Sequence, residues 1–382
     1  MALNWTAQCE EAQRLPTPVL QQRNFGSKLP LIFLYCVCAA ASGIVLRRWL
    51  RLEASDRSNT WRLFGRFVVL VLASCCAGIL SWSSELMANY YLYEATHEAD
   101  LALHESHQSR GASWEAARLI FNSLEFFSIC FTKLLVLDRM VDFVTRRCDE
   151  QLRQRLRRAK LCVLTFFTFA AIAGLSSSIG ASYYFTRQSF FYSEISAAFK
   201  NRADAAYVNQ LFGLKNDAVD AAARFQVATF AINTVILLFI VCVFLISGLL
   251  CYWKFERSIP AGAPVNAMAS LIQLQRQIYA TVFVVFSSFL LRSAWAAFML
   301  WINANLNQSP SCFVCEACQP VQVHIWMWLG FTPMVELSVV FFSGPVSLLV
   351  ALWGMMSGNT RRIMFSKRRG PLLDREAQVK PL

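Results

Sequence analysis

Charge is scarce in this chain: Asp, Glu, Lys and Arg make up 16% of its 382 residues, where soluble domains carry about a quarter. Histidine occurs four times, never inside a long apolar run. The first 29 residues lack the basic start and early apolar core of a cleaved signal peptide. They carry Glu10, Glu11 and two prolines instead, so the first helix is expected to be retained as a signal anchor. Each shortage excludes something. Sparse charge beside 56% hydrophobic residues, gathered in runs of roughly 18 or more, excludes a soluble globular enzyme. With no histidine in any run, the serine-rich "GLSSSIG" at 174–180 has no base to activate it, and seven-helix metal-dependent hydrolases have no ligands. Glycine and serine there are expected to let helices approach closely. The seventh run has no lysine to hold retinal. The chain is therefore read as a non-enzyme without catalytic residues, metal or cofactor.

What is present is a set of seven apolar runs, at about 30–47, 63–83, 114–140, 160–185, 225–252, 276–303 and 325–356. The expected fold is all-α, a multi-pass bundle of seven transmembrane helices over 30–356. A tail (1–29) precedes it and a basic tail (357–382) follows.

Basic residues orient the bundle. Five arginines lie between the first and second spans and seven basic residues between the third and fourth. Three lie between the fifth and sixth, and seven follow the last span, so this side totals 22. The opposite side totals nine. The positive-inside rule puts the N-terminus outside and the C-terminus in the cytosol. The net charge of +12 is mostly explained this way, and no nucleic-acid partner is expected. Two sequons, beginning at Asn4 and Asn307, fall on the expected outer side and are candidates for glycosylation. The protein is expected in the plasma membrane or an endomembrane, with the lipid bilayer as its first partner.

Charges inside a membrane are costly and mark functional candidates. Glu125 in span three, Arg292 in span six and Glu336 in span seven each count about 11 residues from the outer end, roughly 16 Å deep. They are expected to form one buried cluster, with Asn122 beside Glu125 and Asn233 slightly nearer the outside. Two readings stay open: a site for a small-molecule or ion ligand, or a structural ion pair that fixes helix packing. Lys133 lies about 12 Å deeper and needs another partner.

The outer segments carry further candidates. "HEADLALHESHQ" at 97–108 holds His97, His104 and His107 among acidic residues. It reads as a solvated loop, with zinc binding or pH sensing as the alternative. "CFVCEAC" holds Cys312, Cys315 and Cys318, and Cys9 lies in the first tail. Two disulfides are expected outside the cell, with connectivity open. The alternative is a metal site completed by His324.

Asp138 and Arg139, in "LLVLDRMVDF", sit at the inner end of span three. With seven helices, an outer N-terminus and a basic tail, the chain resembles the G-protein-coupled receptor superfamily. That resemblance implies that Arg139 holds an inactive state and later meets a cytosolic transducer. It also implies a short amphipathic helix at 360–369 on the inner leaflet. Met140 stands where the family has an aromatic residue, span six has no proline, and Pro333 and Pro345 lie outside the family's Asn-Pro-x-x-Tyr. "PMVELSVVFF" at 333–342 is similar to span seven of the tobamovirus-multiplication-type proteins of plants and protists.

The expected function is a receptor-like protein passing an external signal to a cytosolic partner. The alternatives are an ion- or proton-coupled transporter or channel and a structural scaffold. Orientation is directly testable. An epitope at residue 1 should be labelled on intact cells and one at residue 382 only after permeabilisation; the opposite pattern would overturn the assignment.

Overall fold

The computed structural model describes residues 17–52, 59–145, 150–256, 265–306 and 333–355. Every described element is a helix: α1 (Thr17–Leu52), α2 (Asn59–His97), α3 (Leu101–Thr145), α4 (Glu150–Lys200), α5 (Ala205–Glu256) and α6 (Val265–Leu306). The seventh span is divided into α7 (Pro333–Phe341), a π turn (Phe342–Val346) and α8 (Ser347–Met355). Seven helices are long and apolar enough to cross a membrane, and an integral, multi-pass protein in contact with lipid follows. Phe33, Phe169 and Phe283 are 68%, 78% and 70% exposed, a loss in water but ordinary packing against acyl chains. The sequons at Asn4 and Asn307, the four outer cysteines, His324 and the tail at 357–382 lie outside the described residues.

The four central helices are longer than a membrane needs. They run to 39, 45, 51 and 52 residues, so α4 and α5 each reach about 76 Å, against a hydrocarbon core of about 30 Å. No proline falls between Pro30 and Pro260, so nothing in this stretch removes a backbone donor or kinks the chain. The segments 84–113 and 186–224, expected as outer loops, are helical apart from two tight turns at 98–100 and 201–204. By alternation, both turns lie on the side where α1 begins, and the projecting ends of α2–α5 form a helical head there.

The head has its own reasons to fold. Phe191, Ile195 and Ala198 of α4 bury against Val208, Leu211 and Ala218 of α5 in a second apolar core. Within each helix these residues recur three, four or seven apart, which places them on one helix face. Serine ties α3 to α4: Ser196 Oγ donates to the Ala102 carbonyl at 2.5 Å, and Ser109 and Ser113 both meet Ser189. The Asp100 carboxylate accepts from the Ala102 N–H at 2.8 Å, capping α3. A loop reading failed here because low hydropathy excludes a membrane span but not a paired, half-buried helix.

Within the membrane, consecutive helices pack as neighbours, α3 touches α5, and the seventh span lies against α1, α3 and α6. One large core fills the centre, with Tyr35, Phe67, Phe167, Phe244 and Phe289 wholly enclosed. "GLSSSIG" supplies small residues where α4 meets α3 and α5. Ser178 bonds Ser123 at 2.5 Å, Ser177 donates to the Phe225 carbonyl at 2.9 Å, and Gly174 faces Phe127. Tyr35 fits its slot only because glycine stands on both sides. A Cβ at Gly78 would lie 2.7 Å from its ring, and one at Gly344 2.5 Å from its hydroxyl. Gly78→Ala is thus expected to cost about 1–3 kcal/mol through overpacking. Gly43→Ala, where a Cβ meets nothing within 4 Å, should not destabilise. Thermal unfolding of both variants in detergent would check this, and equal midpoints would refute it.

Candidate functional site

A single face of α1 organises the polar interior. Lys28, Leu31, Tyr35, Cys38, Ser42 and Val45 recur three and four apart and are all buried, the pattern of a helix seam turned to its neighbours. On α3, Glu125, Ile129, Cys130, Lys133 and Leu137 are likewise buried. The polar members of these stripes meet partners from α2, α6 and the seventh span in three successive layers.

The layer nearest the head centres on Lys28. Its ammonium lies 2.7 Å from Glu85 Oε1 of α2 and 3.0 Å from Glu336 Oε2 of α7, and 4.8 Å from the centre of the Trp82 ring. One buried cation thus holds two carboxylates, one well covered and one 38% exposed. On α3, Arg118 pairs with Glu115 one turn away.

Two helical turns deeper, the Tyr35 hydroxyl donates to Glu125 Oε1 at 2.5 Å. Arg292 of α6 places Nη2 3.9 Å from that same oxygen. This is close enough for charge attraction and too far for a hydrogen bond. The Arg292 guanidinium also lies 5.4 Å from the Phe126 ring. Glu125 Oε2 and Arg292 Nη1 are buried without a hydrogen-bond partner among the described residues. An acceptor and a donor of opposite charge are therefore left open side by side, where an unmet polar group costs roughly 1–3 kcal/mol and a charged one more.

The deepest layer is Lys133, completely buried. Its ammonium donates to Ser288 Oγ and to the Ser343 carbonyl, both at 2.8 Å, and lies 4.4 Å from the centre of the Phe289 ring. No carboxylate pairs with it among the described residues. Beyond it the buried side chains of Val45, Phe64, Phe67, Leu137, Leu348 and Leu352 are apolar.

The trio expected from the sequence is thus divided. Glu125 and Arg292 come together, while Glu336 stands in the first turn of α7 and joins Lys28. Asn122 is partly buried one turn toward the head from Glu125. Asn233 lies on the α5 face that carries Ile236, Leu237 and Ile240 inward, and its Oδ1 is unpartnered among the described residues. Asp138 pairs with Lys160 of α4. Arg139 is helical in α3, and its side chain lies outside the description.

In the head, the His97 ring meets the Tyr93 carbonyl at 2.9 Å and the His104 ring the Ala95 carbonyl at 2.7 Å. Among the described residues no three His, Cys, Asp or Glu side chains converge on a metal position.

Three members escaped the sequence reading. Hydropathy started span one at 30 and ended span two at 83, which left Lys28 and Glu85 in flanking segments. Tyr35 carries no charge, so a search for membrane charges passed over it. The 28–31–35–38–42–45 spacing was the available signal.

The chain matches no protein-family model, no curated protein and no solved structure. The site therefore rests on its own geometry. Lys28→Met would leave Glu85 buried without its cation, at a cost of about 3–5 kcal/mol, whereas Glu336→Gln, at a more exposed carboxylate, should cost far less. Unfolding midpoints of the two purified variants would decide, and a reversed order would sink the assignment of Lys28 as the organising cation.

Proposed function

We propose that this chain is a receptor-like membrane protein in which a small polar ligand engages the Glu125–Arg292 layer and alters the opposite face of the bundle. One observation carries the reading. Among the described residues, the buried ionic layers run from the head side as far as Lys133, and the side chains packed beyond it are mostly apolar, with the half-exposed Asp138–Lys160 pair at the rim. A polar interior closed at one end suits binding and signalling, whereas transport needs polar groups continuing to the far side.

The open groups suggest what the ligand carries. Glu125 Oε2 is an acceptor and Arg292 Nη1 a donor. A molecule bearing both a cationic and an anionic group would meet both, while a simple anion or cation would leave one unmet. With the N-terminus outside, as the basic loops favour, the head faces the exterior. The floor then faces a cytosolic side to which the sequence assigns Asp138, Arg139 and the arginine-rich segments, where a transducer would dock.

Ion- or proton-coupled transport is favoured by one feature, the succession of charged layers from Lys28 to Lys133. The mostly apolar packing described beyond Lys133 weighs against it. Two measurements separate the readings. In proteoliposomes the protein should pass protons no faster than empty vesicles do. In cells, recruitment of a heterotrimeric G protein, taken as the probe transducer, should fall when Arg139→Ala replaces the parent. Proton flux abolished by Glu125→Gln would overturn the receptor reading in favour of transport.

A further inference from the structure

The seventh span changes register at its centre, and the cause is local. Pro345 has no N–H with which to close the α-helical bond to the carbonyl of residue 341, and the helix widens into a π turn over Phe342–Val346. Past the turn, the Ser347 N–H bonds to the Gly344 carbonyl, not to the carbonyl of Ser343 four residues back. The Ser343 carbonyl therefore does not receive the Ser347 N–H that a regular α-helix would give it, in a lipid setting where backbone groups must be met inside the protein.

Side chains make up the loss. Lys133 donates to the Ser343 carbonyl at 2.8 Å, and Ser347 Oγ reaches the carbonyls of Ser343 and Gly344 at 2.7 and 2.8 Å. The Cys38 thiol lies 3.8 Å from the Pro345 carbonyl. The turn is thus held by α1, α3 and its own serine. Ser288 of α6, which shares the Lys133 ammonium, ties in a fourth element. Lys133 stands in for a backbone N–H, which accounts for a buried lysine with no carboxylate among the described residues.

The turn also touches the ligand layer. Tyr35, whose hydroxyl donates to Glu125, stands directly over Gly344, where even a Cβ would approach to 2.5 Å. While Tyr35 points at Glu125, the backbone at 344 is fixed; a Tyr35 turned away would open room for it.

We propose that Lys133 and the Ser343 carbonyl form a latch that holds the π turn of the seventh span, and that the Tyr35–Glu125 contact sets whether it stays closed. This rests on the receptor reading for its purpose and deepens it, naming how the ligand layer would govern α8. In the second state Lys133 leaves Ser343, and α8 shifts against the apolar floor. π turns inside helices are frequent at functional sites, and a joint needs two packings of similar energy.

The latch has a signature that general damage to the core lacks. Pro345→Ala restores a backbone donor, draws the helix toward α register and deprives Lys133 of its acceptor. Lys133→Met removes the ammonium and strands the carbonyl. Each alone should lower the unfolding midpoint of the full-length protein in detergent. Together they should recover more than half of the summed loss, because the regular helix no longer needs the lysine. Strictly additive losses would overturn the latch.

Control by Tyr35 is read by hydrogen exchange. Amides at 346–350 should exchange faster in Tyr35→Phe and in Lys133→Met, with the α4–α5 hairpin at 196–211 unchanged. Parent-like exchange at 346–350 in Tyr35→Phe would overturn that control. Neither measurement involves a ligand or a transducer. Failure of G-protein recruitment would therefore remove the receptor reading and leave the latch intact, while failure here would remove the latch alone.

Discussion

Lipid offers no partner to a polar group, and the interior of this protein is organised by that constraint. A buried ammonium or carboxylate must find its counterpart in the protein or remain at a cost of several kcal/mol. Lys28 meets the demand with two carboxylates from α2 and α7, so one side chain joins three spans. Lys133 meets it with a hydroxyl, a carbonyl and an aromatic face. The Glu125–Arg292 pair meets it only in part, each partner keeping one atom free. Two layers are closed by their own chemistry and one between them is open. That contrast, more than any single residue, is what the proposal of a ligand at the middle layer rests on.

The head follows a different rule. There exposed polar side chains can meet water, and packing decides the structure. The α4–α5 hairpin carries its own apolar core, and serines rivet α3 to α4 through main-chain carbonyls. The same helices thus serve two solvents in succession, lipid over one length and water over the next. Their composition changes along the axis, but the three- and four-residue recurrence of buried positions does not, and that continuity keeps them helical.

Much of this was legible in the sequence. Hydropathy gave seven spans, and the long apolar runs identified the fold class. Glu125 and Arg292 were found because a charge inside an apolar run is conspicuous. Glu336 was assigned to the wrong neighbour: counting residues from the outer end placed it level with Glu125, whereas it meets Lys28, two helical turns nearer the head than Tyr35. Lys28 and Glu85 sit where apolar runs fade, and a hydropathy window cannot tell a solvated flank from a buried one. The head was missed for a related reason: its helices draw their stability from one another, which no single window contains. The π turn could be suspected from Pro345, but its buttress, Lys133, lies 212 residues earlier in the chain, and only the fold brings the two together.

The proline-free stretch from α2 to α5 has a mechanical consequence. These helices run unbroken from the outermost turns of the head to the far end of the bundle, with no joint to absorb a load. A tilt imposed at the turns beside Asp100 or Arg202 is therefore delivered to the membrane mid-plane with little loss, as a stiff strut delivers it. The described elements that carry a proline within a helix are α1, at Pro30, and the seventh span, at Pro345. A load applied to the head would therefore reach the same layers of the core as a molecule entering there.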